Sequence, residues 1–125
     1  PLVPPLFRGI EATYWSCLRR VEDPRKAEQR VYPLELILHR IISGFIDGTR
    51  SIGVLFPKQQ RMNQEGVKRQ LGALPTRPAV YRLLRRINWD QANVILAPLW
   101  ERLGYIPDLV VKRQFRDPKV ILEEF

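Results

Sequence analysis

Tyr32-Pro33-Leu34-Glu35-Leu36-Ile37-Leu38-His39-Arg40-Ile41-Ile42-Ser43-Gly44-Phe45-Ile46-Asp47-Gly48 is the stretch that decides the fold. Leu34, Ile37, Leu38, Ile41 and Phe45 recur at helical spacing, and Ile42 and Ile46 widen the stripe. That period belongs to a helix lying against a core. Pro33 suits the first helical position, where its missing N–H costs nothing, and Gly48 supplies a stop. The spacing predicts the central core helix. His39 falls off the apolar face, and the sequence shows no partner constellation for it, so it reads as a surface or flank residue.

Upstream, residues 1–7 (PLVPPLF) read as an extended arm because of their prolines. Ile10, Tyr14, Cys17, Leu18 and Val21 predict a first helix within Arg8 to Val21, which Asp23-Pro24-Arg25 breaks before a polar loop that runs to Val31. Downstream, Thr49 and Ser51 are cap-type residues for a short segment, Ile52 to Phe56, that Pro57 ends or kinks. A helix over Asn63 to Leu71 follows, with Gly72 as its terminator. Thr76 then caps a helix that reaches Asn88, with Pro78 in its first turn and Val80, Leu83, Leu84 and Ile87 on its inner face. Asp90 is the predicted cap of a helix over Gln91 to Leu103, with Val94, Ile95, Leu99 and Leu103 inward, a kink at Pro98 and Gly104 as its end. Leu109-Val110-Val111 reads as extended and Asp117-Pro118 as the start of a short helix. The fold expected is all-α: a compact bundle of five to six short helices with a helix-turn-helix-like pair and an irregular C-terminal arm. The divisions expected are an arm at 1–7, a helical domain at 8–104 and a C-terminal arm or linker start at 105–125.

The 125 residues suit one small domain, and a hydrophobic content of 45% argues for a folded chain. Cys17 stands alone, which excludes an intramolecular disulfide or a cysteine-based zinc cluster and fits a reducing, cytoplasmic setting. No apolar run reaches membrane-spanning length, and neither a membrane nor a small-molecule substrate is expected as a partner. The opening Pro1 reads as a processed protein or as a segment of a longer one.

Charge points to the partner. Arg50 to Arg86 holds nine basic residues against the single acid Glu65, a net of +8 that accounts for the whole chain's formal +8. A concentrated basic patch attracts a polyanion, so nucleic acid comes first. Sixteen of the 21 basic residues are arginine, whose planar fork suits phosphates and guanine edges. On the Thr76–Asn88 helix, Arg82, Arg85 and Arg86 fall opposite the apolar face, with Tyr81 at the boundary. With Asn63 to Leu71 as the supporting helix, this is the arrangement a helix-turn-helix needs. Thr76, Arg77, Tyr81, Arg82, Arg85 and Arg86 are then the residues that face double-stranded DNA, with Lys68 and Arg69 on flanking phosphates. A solvated outer face is the plainer alternative, but no acid occurs between Glu65 and Asp90 to alternate the sign. An alternative partner is a protein, a second copy of the chain included, with Tyr14, Trp15, Trp89, Trp100 and Tyr105 as aromatic anchors.

Catalysis finds little support. Glu11, Glu22, Asp23, Asp47, Asp90, Asp108 and Asp117 are the scattered carboxylates, and several have simpler readings as caps or turn residues. No phosphate-binding glycine loop, nucleophile elbow or dinucleotide fingerprint occurs, so no catalytic residue, metal or cofactor is assigned.

The order Asp23-Pro24-Arg25, Tyr32-Pro33-Leu34-Glu35-Leu36-Ile37-Leu38, Gly48, Ser51-Ile52, Leu71-Gly72, Pro75-Thr76 and Arg82-Leu83-Leu84 resembles the N-terminal domain of H-repeat-associated DDE transposases. The resemblance covers roughly residues 15 to 103. It implies a small helical region that holds transposon-end DNA or assembles the transposase, ahead of a separate carboxylate-bearing catalytic domain. Two departures stand out: the chain has no Asp-Gly-Lys motif, and Thr76-Arg77-Pro78 replaces the family's usual order after the proline. The implied role is therefore a non-catalytic one.

Overall fold

The computed structural model describes residues 2–48, 52–58 and 74–103. The expected helix over Asn63 to Leu71 and the arm after Tyr105 lie outside the described residues. Five α-helices are present among them: α1 (Glu11–Arg20), α2 (Leu34–Ile46), α3 (Ile52–Leu55), α4 (Arg77–Arg86) and α5 (Trp89–Arg102). Two 3-10 turns, Pro5–Phe7 and Ala27–Gln29, complete the elements, and no strand occurs among the described residues. The protein is all-α, as expected.

α2 is the central helix. Leu34, Ile37, Leu38, Ile41 and Ile42 are all buried, and α1 and α3 pack on it while α5 packs on α1. Pro33 takes the cap position one residue before the helix, and its carbonyl accepts from Leu36 and Ile37. Gly48 ends the run at φ +85°, a left-handed conformation that glycine adopts without steric cost. α1 buries Tyr14, Cys17 and Leu18, and α4 buries Val80, Leu83 and Leu84, with Val21 and Ile87 buried just past the two ends. These faces follow the sequence pattern, with Ile10, Phe45 and Ile46 only half-buried at its margins.

Three local expectations are corrected. The N-terminal residues are not a free arm: Phe7 is fully buried, its ring 4.8 Å from that of Tyr14. Arg102 fastens the segment by donating to the carbonyls of Leu6 (3.0 Å) and Arg8 (3.2 Å). The cap of α5 is Asn88, whose side-chain oxygen accepts from the Gln91 amide at 3.2 Å, while Asp90 lies inside the first turn, where its charge favours the positive end of the helix. The buried stripe of α5 is Trp89, Ala92, Asn93, Leu96, Leu99 and Trp100, and Val94 is 76% exposed.

α3 is held close by a small residue and an arginine. A Cβ on Gly44 of α2 would stand 2.8 Å from Leu55 Cδ1, so a larger residue there would push the leucine side chain aside. Arg40 donates to the Leu55 carbonyl at 2.7 Å and lies 5.9 Å from the centroid of the Phe56 ring.

His39 sits at the α1–α2 contact. Its Nδ1 and the Tyr14 hydroxyl share a hydrogen bond of 2.6 Å, and the Trp15 ring lies 4.9 Å away. Burial pushes the imidazole below its ordinary value of 6.5, so the folded protein holds it neutral. The unfolded chain then binds a proton that the native state refuses. Stability from this site is therefore full above pH 6.5 and declines as the pH falls below it, until the folded histidine itself protonates. Urea unfolding at about pH 7.5 and about pH 5.5 is expected to show lower stability at the lower pH, with the difference reduced in His39→Gln.

Candidate nucleic-acid interface

α4 carries the arginines that the sequence singles out, and the structure sorts them. Arg82 and Arg85 are exposed and make no hydrogen bond or ion pair with another described residue. Arg86 is exposed as well, and its Nη2 donates to the Pro24 carbonyl at 2.6 Å. A guanidinium bonded to a carbonyl keeps its full charge, so Arg86 still contributes to the field of this face.

Arg77 points the other way. Its Nη2 donates to the Gly53 carbonyl at 2.6 Å, and its backbone amide donates to the Pro57 carbonyl at 2.6 Å. Its Nε is buried without a hydrogen-bond partner. A Cβ on Gly53 would stand 2.6 Å from Arg77 Cζ, so the glycine makes room for the guanidinium. Arg77 thus joins α4 to the α3 segment and does not stand on the outward stripe. Tyr81 is half-buried, its hydroxyl enclosed and unpaired, and burial pushes its pKa up despite the nearby Arg77 charge. Thr76 holds the cap position of α4, but its side chain makes no capping bond. Lys68 and Arg69 lie outside the described residues.

The loop between α1 and α2 forms the opposite wall. Asp23 accepts from the Arg25 amide (3.0 Å), Arg25 Nε (3.0 Å) and Arg25 Nη2 (2.7 Å), and Arg30 lies 3.7 Å away. Burial alone would raise this carboxyl, but the bonds from Arg25 and the charges of Arg25 and Arg30 hold it below the usual carboxylate range. Arg25 also donates to the Tyr32 carbonyl at 2.9 Å, and Arg30 to the carbonyls of Arg25 (2.8 Å) and Asp23 (3.0 Å). The loop is therefore laced by charged hydrogen bonds, and Arg86 joins it to α4 through the Pro24 carbonyl.

Between loop and helix lies an open groove of about 450 Å³. Arg25, Arg82 and Arg86 line it together with Thr76, and no carboxylate lines it among the described residues. Sequence reading did not find this groove. Its one local signal was Asp23-Pro24-Arg25, read as a helix breaker; the meeting of Pro24 with Arg86 spans 62 positions.

Other features of the sequence serve the fold. Six arginines (Arg25, Arg30, Arg40, Arg77, Arg86 and Arg102) donate to backbone carbonyls, so part of the arginine bias is structural. Tyr14, Trp89 and Trp100 are buried in the core and cannot anchor a partner, while Trp15 is half-buried beside His39. Glu11 accepts from the Gly9 amide at 2.9 Å as a helix-start contact. Among the described residues no group of three or more His, Cys, Asp or Glu is placed to hold a metal ion, and no helix is long and apolar enough to cross a membrane.

Comparison with known proteins places no relative beside this arrangement: no protein-family model, no curated protein and no solved structure matches the chain.

Proposed function

We propose that this chain is a non-catalytic, DNA-binding helical domain of a DDE-type transposase, or a standalone or degenerate derivative of one. The observation that carries the reading is the pair Arg82 and Arg85: exposed, without a described partner and on the same outward face of α4. Arg86 extends the positive surface to the groove, whereas the charge of Arg25 is offset by Asp23. Such a face gains affinity by neutralising phosphates and releasing their counterions, with duplex DNA at a transposon end as the partner. The order of the Asp23-Pro24-Arg25 and Tyr32-Pro33-Leu34 motifs supports the transposase assignment.

The test is fluorescence anisotropy of a short random-sequence duplex at about 50 mM and about 200 mM salt. Binding in the micromolar range at the lower salt is expected. With about four phosphates neutralised, affinity should fall on the order of 100-fold at the higher salt. Absence of binding at the lower salt would sink the proposal and leave the stripe as a solvated or protein-covered face.

A further inference from the structure

The groove beside α4 has a second property besides charge. Apolar side chains share its lining: Val31, Tyr32, Ala79 and Leu83 stand with the exposed guanidinium groups of Arg82 and Arg86. Duplex phosphates need only an outer row of cations and leave such apolar side chains unused. A volume of about 450 Å³ falls within the range of pockets that take small organic ligands. One bond joins the two walls, from Arg86 to the Pro24 carbonyl, and within the loop Arg25 is clamped by Asp23 and by the Tyr32 carbonyl.

A ring for stacking, aliphatic side chains and exposed cations together match one nucleotide whose base is out of the helical stack. A base inside a duplex cannot present its face to the ring, whereas an unpaired base can. From this we infer that the groove takes an unpaired nucleotide at the end of a nucleic-acid strand. Its base lies against Tyr32 and its phosphate lies on Arg82 and Arg86. The Thr76 side chain, which makes no capping bond and lines the same groove, supplies a hydroxyl for the sugar or phosphate. The inference rests on the proposal that α4 faces nucleic acid and adds the form of the strand that it holds.

Anisotropy with two duplexes of equal length and sequence separates the two ideas: one blunt, the other carrying short single-stranded extensions. The extended duplex is expected to bind about tenfold more tightly, the effect of one stacked base. Tyr32→Leu keeps apolar bulk but loses the ring face, and should erase the preference while leaving blunt-duplex binding intact. Val31 is 73% exposed, so Val31→Glu places a carboxylate at the groove without disturbing the core and should likewise erase the preference. Equal binding of the two duplexes by the unaltered protein would overturn the nucleotide site and leave the duplex proposal standing. Full preference retained in Tyr32→Leu would overturn it as well. No binding of either duplex would remove both ideas, and binding of the extended form alone would keep the nucleotide site and remove the duplex reading.

Discussion

Trp89→Ala is expected to lower the free energy of unfolding by about 4 kcal/mol, the scale of removing a buried aromatic side chain and leaving a cavity. Trp89 is only 3% exposed and fills the corner where α4 turns into α5. It also does a polar job: its indole Nε1 donates to the Leu84 carbonyl at 2.8 Å in a buried setting. Leu84 lies in the last turn of α4, where carbonyls have no partner within the helix, so the indole satisfies a group that would otherwise be buried and unpaired. Trp89→Phe separates the two losses. It refills most of the space but leaves the carbonyl unpaired, and should cost about 1–3 kcal/mol. Small domains are stable by about 5–15 kcal/mol, so the alanine variant loses a large share and the phenylalanine variant stays folded. Urea unfolding measures both. A cost below about 1 kcal/mol for Trp89→Ala would mean that the corner does not set the position of α4.

Where the sequence was legible, one stripe of apolar residues stood against plainly polar neighbours. α2 and the inner face of α4 are of that kind, and both bury the residues the spacing selects, except that Phe45 and Ile46 at the end of α2 are half-buried. α5 is different. Val94, Ile95, Leu96 and Ala97 run consecutively around the helix, so hydrophobicity alone does not choose its phase. The buried stripe instead follows Trp89 and Trp100 and takes in Asn93, a polar residue that argues for the wrong face. Asn88 and Asp90 are both cap-type residues two positions apart, and Gln91 three after Asn88 is the signal that favours the former. The N-terminal arm misled for another reason. Its prolines describe local backbone, whereas the reach of Arg102 to Leu6 joins residues 96 positions apart, and the burial of Phe7 is likewise set by tertiary contact.

The site shows the same division between local and distant information. Helical period alone turns Arg82 and Arg85 outward, and both are exposed. Arg77 lies at the start of the same helix, but a long side chain can double back along apolar surface to a distant acceptor. The acceptor here is the Gly53 carbonyl, and no pattern on α4 announces it. Thr76 was read as a cap and holds the cap position, yet its side chain stays unbonded there, a detail that spacing cannot supply.

Reversing the two outward arginines gives the largest functional effect expected of this protein. In Arg82→Glu with Arg85→Glu, two phosphate contacts are removed. At about 0.1 M salt the loss of two released counterions weakens binding roughly 60-fold, and repulsion between the new carboxylates and the phosphates takes the total beyond about 100-fold. The slope of log affinity against log salt should become shallower by about 1.8. Both positions are exposed, so the core is untouched and most of the loss falls on binding. A carboxylate in place of Arg85, in the last turn of α4, opposes the helix dipole and costs about 0.3–1 kcal/mol of stability. Arg77→Gln is the converse control. Because its guanidinium is part-buried against the Gly53 carbonyl and off the outward stripe, its loss should reduce stability by about 1.5–3 kcal/mol and leave the salt slope unchanged. Anisotropy titrations and urea unfolding on the same preparations distinguish the two classes. If Arg77→Gln lowers the slope as much as one of the outward arginines, the clamp is released in the complex and Arg77 turns to the phosphates. If the double reversal leaves affinity unchanged, α4 does not face DNA, because phosphates lying on this face would meet two carboxylates where two exposed arginines stood.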